Sequence, residues 1–139
     1  MAKRRRAAPS HAQAMKRKIL VVDDEEAIRE LLASYLARHD FEVVLAANGS
    51  EARRLMDKEA LELAVLDIVL PDADGMDLLS AARQDHPTLP VIMLTGIGFD
   101  EELLQEAQRR GADGYVSKMQ PLDQLLMEVR RVLSRKPAR

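Results

Sequence analysis

Ile19-Leu20-Val21-Val22-Asp23-Asp24 and Leu63-Ala64-Val65-Leu66-Asp67 decide the fold. Each is a short, unbroken apolar run that stops at a carboxylate. A strand covering a core on one face alternates apolar and polar residues, whereas an unbroken run suits a strand buried on both faces. Val91-Ile92-Met93-Leu94 repeats the pattern and ends at Thr95, and the brief Tyr115-Val116-Ser117 ends at Lys118. Phe41 to Ala46 supplies the remaining strand, second in chain order.

Helical periodicity fills every gap. Ile28, Leu31, Leu32, Tyr35 and Leu36 follow the i, i+3, i+4, i+7, i+8 spacing of an amphipathic helix. Asn48 with Glu51 three residues on predicts a capped helix start, with Ala52, Leu55 and Met56 as its apolar face. Gly75 to His86 is predicted helical with Asp74 as its cap, closed by Pro87 and Pro90. Glu101 to Arg110 is predicted as a fourth helix, stopped by Gly111. Leu122, Leu125, Leu126, Val129, Val132 and Leu133 trace the face of a fifth.

Strand–helix units joined by short loops imply an α/β fold, a doubly wound parallel sheet of five strands with helices on both faces. Ligands of such sheets bind outside the carboxyl ends of the strands. The side chains at those ends therefore carry the functional question. They are Asp23 and Asp24, Asp67, Thr95 and Lys118. Singly, each has a plain structural account: Asp23 and Asp24 as helix caps, Thr95 as a common strand-end residue, Lys118 as a solvated lysine. Asp67 resists one, because a carboxylate closing an apolar central strand is costly unless a cation meets it. Together they define a chemistry. Clustered carboxylates call for a cation, and oxygen ligands without His or Cys favour Mg²⁺. A carboxylate can attack phosphorus to give an aspartyl phosphate, whose charge Lys118 and the Thr95 hydroxyl are suited to meet.

Composition narrows the alternatives. The chain has no cysteine, which excludes disulfides and thiolate metal sites, and no apolar run long enough to span a bilayer. The net charge of −2 conceals a division: residues 1–18 hold seven Lys/Arg and no acid, while the remainder holds 14 basic and 23 acidic side chains. An acidic body argues against nucleic-acid binding through the folded domain. Residues 1–17 are expected to form a basic, disordered extension; Met15-Lys-Arg-Lys looks like a natural start, so residues 1–14 read as an upstream-start extension or a cloning remnant. Residues 135–139 read as a polar tail or the start of a linker.

Val22-Asp23-Asp24-Glu25, Asp67-Ile-Val-Leu-Pro71-Asp-Ala-Asp-Gly75, Leu94-Thr95-Gly96 and Gly111-Ala-Asp-Gly-Tyr115-Val-Ser-Lys118 resemble the motif set of bacterial response-regulator receivers. The resemblance covers residues 18–134 in order. It implies a flavodoxin-like (βα)5 sheet with strand order 2-1-3-4-5. It also implies that Asp67 is the phosphoacceptor, that Asp24 binds Mg²⁺ directly, that Asp23 acts largely through metal-bound water, and that the Val69 backbone carbonyl is a further ligand. Thr95 and Lys118 match the phosphoryl-binding pair, and Thr95 and Tyr115 the switch that reshapes the face of helix four, strand five and helix five. The implied partners are a histidine kinase or phosphotransfer protein, a downstream effector or missing output domain, and a second copy in a phosphorylation-dependent homodimer; the implied place is the cytoplasm. Such a chain is a signalling domain rather than an enzyme.

Departures from the pattern are informative. Met119, not proline, follows Lys118, and Pro121 suits the first turn of the last helix; a trans bond is expected after Lys118, since a non-proline cis bond costs about 2.5–4 kcal/mol. Two positions that tune phosphoryl lifetime in the family are apolar here, Val69 and Ile97, which predicts slow self-dephosphorylation. Gly96-Ile-Gly98 lacks the third glycine of a dinucleotide fingerprint. A phosphatase of haloacid-dehalogenase type would need a second Asp where Val69 stands. A receiver cut from a DNA-binding regulator remains an alternative to a free-standing one.

Overall fold

In the computed structural model, residues 16–98 and 100–135 are described. Most of the basic extension (residues 1–15) and the polar tail beyond residue 135 lie outside them.

Five parallel strands form one sheet in the order β2-β1-β3-β4-β5: β1 Arg17–Val22, β2 Phe41–Ala46, β3 Leu63–Asp67, β4 Val91–Thr95 and β5 Gly114–Ser117. The helices between and after them are α1 Glu26–Ala37, α2 Gly49–Lys58, α3 Gly75–Asp85, α4 Glu101–Arg109 and α5 Leu122–Arg135. This is the flavodoxin-like order that the motif resemblance implies.

Strand pleat sorts the core into two halves. Leu20, Val22, Ala64, Leu66, Val91 and Met93 point to the side of α2, α3 and α4. Their neighbours Ile19, Val21, Leu63, Val65, Ile92 and Leu94 pack on the other side with Leu32 and Leu36 of α1 and Leu125, Val129 and Val132 of α5. Every residue of β3 and β4 is buried. That double burial is why these strands read as unbroken apolar runs. Each fully buried Leu, Ile or Val contributes about 1.5–3 kcal/mol.

One expected core residue lies elsewhere. Leu31 is half exposed, while Leu32 and Leu36 are buried. The row Ile28, Leu32, Leu36 faces the sheet, and Leu31 falls on the flank of α1. Helix ends follow the sequence signals more closely. Asn48 Oδ1 accepts from Glu51 N at 2.8 Å, and Glu51 Oε1 accepts from Ala47 N at 2.7 Å. Asp74 Oδ1 accepts from Met76 N. At the end of α4, Gly111 takes φ +101°, and the amides of Gly111 and Ala112 bond to the carbonyls of Gln108 and Ala107. That is a Schellman closure, for which glycine is the natural residue. Pro121 falls immediately before α5 rather than within its first turn.

A hub below the sheet was not legible in the sequence. Arg83 donates to the carbonyls of Pro87, Leu89 and Gly111 and to Asp113 Oδ2, which also accepts from Val91 N. It fastens α3 to the entries of β4 and β5.

Candidate functional site

The parallel register delivers the strand ends to one edge. Val22 pairs with Leu66, Asp67 with Leu94, and Thr95 with Ser117. The ladder then runs one residue past the strands: Asp23 N bonds Ala46 O, Ile68 N bonds Leu94 O, and Lys118 N bonds Thr95 O. Asp23, Asp67, Thr95 and Lys118 are thereby fixed by backbone pairing before any side chain acts.

Asp23, Asp67 and Thr95 are the buried polar residues of the described core. Lys118 Nζ lies 2.9 Å from Asp67 Oδ2, 2.9 Å from Asp23 Oδ2 and 3.1 Å from Glu25 Oε1. Asp23 Oδ2 is buried, with the Lys118 ammonium as its charge partner. Asp23 Oδ1 accepts from Glu25 N, and Arg29 donates to the Asp23 carbonyl. Neither Asp23 nor Asp24 occupies the N-cap position of α1, which belongs to Glu25 without a side-chain cap bond. The simple capping account of the pair therefore fails, and Asp24 stands exposed at the mouth.

One carboxylate oxygen from each of Asp23, Asp24 and Asp67 lies within 4.8 Å of the others. Three acids this close, two of them buried, fit a hard divalent cation that takes oxygen ligands. Burial pushes the Asp67 carboxyl above its ordinary value, while hydrogen bonds from Lys118 and the Val69 amide, and the Lys118 charge, pull it down and the charge of Asp23 adds to the rise. Burial works against the charge on Lys118, but its contacts with Asp23, Asp67 and Glu25 outweigh it and hold the ammonium above its usual range.

The loop after β3 folds back on itself. Val69 N donates to Asp67 Oδ1 at 3.2 Å, Val69 pairs with Asp74 in an isolated antiparallel bridge, and Gly75 N donates to Ile68 O at 2.6 Å. A Cβ at Gly75 would overlap the Asp67 carbonyl oxygen and the Ile68 backbone. Gly75 is thus required by the site, although the sequence marks it only as a helix start within a motif. Glu25 and Asp72 are further residues whose part was missed. Glu25 stands beside the two aspartates in the quoted motif, but nothing in its spacing announces a bond to Lys118 from the far end of the chain.

Thr95 Oγ1 accepts from Ile97 N. Tyr115, opposite Met93 in the register, is half-buried, and its hydroxyl is buried beside that of Thr95. Burial raises the phenol, and the nearby Thr95 hydroxyl works the other way. Val69 (74% exposed), Ile97 (51%) and Met119 (72%) are exposed apolar residues of the loops that follow β3, β4 and β5. A large groove also lies at the amino ends of β3 and β4, lined by Leu61, His86, Leu89 and Arg135 among others. It holds none of these residues, so size does not mark the site; buried charge does.

An open parallel sheet with three acids, a hydroxyl and a lysine at its carboxyl edge defines a class, and the comparisons agree with it. Residues 19–130 match the response regulator receiver domain family, and the chain belongs to that family. It is similar to the regulatory protein VanRc of Enterococcus gallinarum, with 43% identity over 104 residues, 75% of this chain and 44% of that protein. The chain spans about half the length of the curated relatives it matches. Among solved structures it resembles the CheY-like response regulator receiver domain protein of Methanospirillum hungatei JF-1, with TM-score 0.80, 33% identity, and 86% of this chain and 94% of that one covered. It also resembles a Burkholderia pseudomallei response regulator protein with a phosphorylated aspartic acid, calcium ion and citrate, with TM-score 0.75, 28% identity and coverage of 86% and 69%. Among the described residues no helix is long and apolar enough to cross a membrane.

Proposed function

We propose that Asp67 accepts a phosphoryl group from the phosphohistidine of a histidine kinase or phosphotransfer protein, with Mg²⁺ bound by Asp23, Asp24, Asp67 and the Val69 carbonyl. The observation that carries this reading is the buried Asp67 carboxylate, paired with Lys118 inside a cluster of three acids. A bound divalent cation would neutralise these acids and the phosphoryl oxygens as charge develops. The calcium ion and phosphorylated aspartic acid of the Burkholderia pseudomallei relative support the same chemistry here.

An oxygen of Asp67 attacks phosphorus, forming a P–O bond as the P–N bond to the donor imidazole breaks. The imidazole nitrogen leaves with the electron pair. Lys118, already 2.9 Å from Asp67 Oδ2, moves its charge onto a phosphoryl oxygen. Asp23 keeps it in place meanwhile. The Thr95 hydroxyl exchanges its bond with Ile97 N for a phosphoryl oxygen, and Tyr115 takes up the space it vacates. The face of α4, β5 and α5 is thereby reshaped for a downstream effector, an output domain such as a DNA-binding one, or a second copy. Activity is confined to self-phosphotransfer and autodephosphorylation, in the cytoplasm. Val69 and Ile97 offer no hydrogen bond to an attacking water, so the phosphorylated state is long-lived.

Incubation with phosphorylated histidine kinases tests the reading. Label should pass to the wild-type chain from at least one donor and never to Asp67→Asn. Transfer to Asp67→Asn at the wild-type rate would refute it.

A further inference from the structure

The loop after β3 has an anchor outside the cluster. Asp72, near its tip, sends one carboxylate oxygen to Gly49 N at 2.7 Å and the other to Ser50 N at 3.0 Å. These are the first two amides of α2, which have no partner within the helix. Asn48 takes the third, that of Glu51. The amino end of α2 is thus capped twice, once locally and once from a segment more than twenty residues on. A carboxylate suits that place, where the amides and the helix dipole favour negative charge. Those two amides hold the Asp72 carboxyl below its usual range. The approach is close on the backbone side too: a Cβ on Gly49 would meet Ala73 Cβ at 3.0 Å.

The same loop sets the site. It leaves β3 at Asp67, and the amide of Val69 reaches back to Asp67 Oδ1. It returns at Gly75, bonded to Ile68 O. Between these points the loop is held on its inner side by Leu70, which is buried, and on its outer side by Asp72. Val69 lies between the Asp67 end and that anchor.

We infer that Asp72 is a positioning residue, its carboxylate tying the loop that carries Val69 to the amino end of α2 and so fixing the backbone around Asp67 for a divalent cation. This rests on the metal reading above. Asp72 touches neither the cation nor the phosphoryl group. It acts by removing freedom from the loop.

The test compares three variants of the full chain: Asp72→Ala, Asp72→Asn, which keeps one acceptor oxygen, and Asn48→Ala, which removes the local cap of α2 and leaves Asp72 in place. Mg²⁺ binding is followed by calorimetric titration, loop order by peptide-resolved hydrogen exchange without Mg²⁺, and stability by thermal unfolding. Asp72→Ala should weaken Mg²⁺ binding about tenfold, the low end of what outer-shell changes cost. It should also speed exchange over residues 68–75. Asp72→Asn should fall between it and wild type. Asn48→Ala should lower the unfolding temperature and leave both other readouts at wild type. Wild-type Mg²⁺ affinity and loop exchange in Asp72→Ala would overturn the inference, as would equal weakening in Asn48→Ala. A wild-type chain that binds no Mg²⁺ would instead sink the metal reading, while the exchange data would still report whether Asp72 pins the loop.

Discussion

Replacing Lys118 by Met keeps most of its stem and removes its charge, leaving Asp23 and Asp67 buried side by side. Removing one partner of a buried ion pair costs about 3–5 kcal/mol, because a charge is left uncompensated. Two features of the site argue for the low end. The Glu25 side chain is 62% exposed, so its share behaves as a surface pair and is worth little, and water can enter beside Asp24. The expected loss at pH 7 without Mg²⁺ is therefore about 3 kcal/mol, or roughly 10 °C in unfolding temperature for a domain of this size. The pH dependence has a definite sign. The folded Asp67 carboxyl already lies above its ordinary value, and loss of Lys118 raises it further. A carboxyl with a raised folded pKa destabilises the fold as pH rises past the unfolded value, so the deficit should be nearly complete at pH 7 and should shrink towards pH 4. Mg²⁺ at about a hundred times its dissociation constant adds about 2.7 kcal/mol to a protein that binds it only when folded. Without the competing Lys118 charge the variant should bind Mg²⁺ more tightly than wild type, so its deficit should shrink when Mg²⁺ is added. Urea unfolding followed by circular dichroism, at pH 7 and pH 4.5 and with and without Mg²⁺, measures all of this. A Lys118→Met variant as stable as wild type at pH 7, or one whose deficit ignores both pH and Mg²⁺, would refute the reasoning.

Gly75→Ala should cost about 2–3 kcal/mol, as overpacking does, and should suppress phosphorylation, because the added methyl displaces the Asp67 carbonyl; unfolding and phosphate incorporation measured together check both. Arg83→Met should destabilise by about 3 kcal/mol through loss of the charged hydrogen bonds to Asp113 and three carbonyls, although the Val91 amide still reaches Asp113, with phosphorylation retained in the folded fraction; denaturant titration reads the first and intact mass the second. Val69→Asn with Ile97→Glu should shorten the phosphoryl half-life by roughly tenfold or more by giving water a hydrogen-bonding partner. A half-life that does not shorten in that pair would remove the account of a long-lived state.

Much of the fold was legible because burial on both faces leaves a plain mark. β3 and β4 appear as unbroken apolar runs, and the acid, hydroxyl and lysine that end the strands mark the edge where chemistry gathers. The caps Asn48 and Asp74 were legible for a local reason, since donor and acceptor are three residues apart or fewer. What was not legible depends on distance in the chain. Asp72 looks like any loop aspartate until α2 is placed beside it, and Arg83 looks like a surface residue of an amphipathic helix until Gly111 and Asp113 arrive under it. Leu31 was misplaced because spacing defines a stripe but not its width. The bond from Lys118 to Glu25 joins opposite ends of the domain, and only the register of the sheet brings them together.

Whether Asp67 accepts the phosphoryl group is read by intact mass after incubation with acetyl phosphate. One phosphoryl group should be added with Mg²⁺ present, mapped to the peptide containing Asp67, with no addition under chelation or in Asp67→Asn. Addition without a divalent cation, addition at another residue, or steady turnover of phosphate monoesters by the unmodified chain would contradict it.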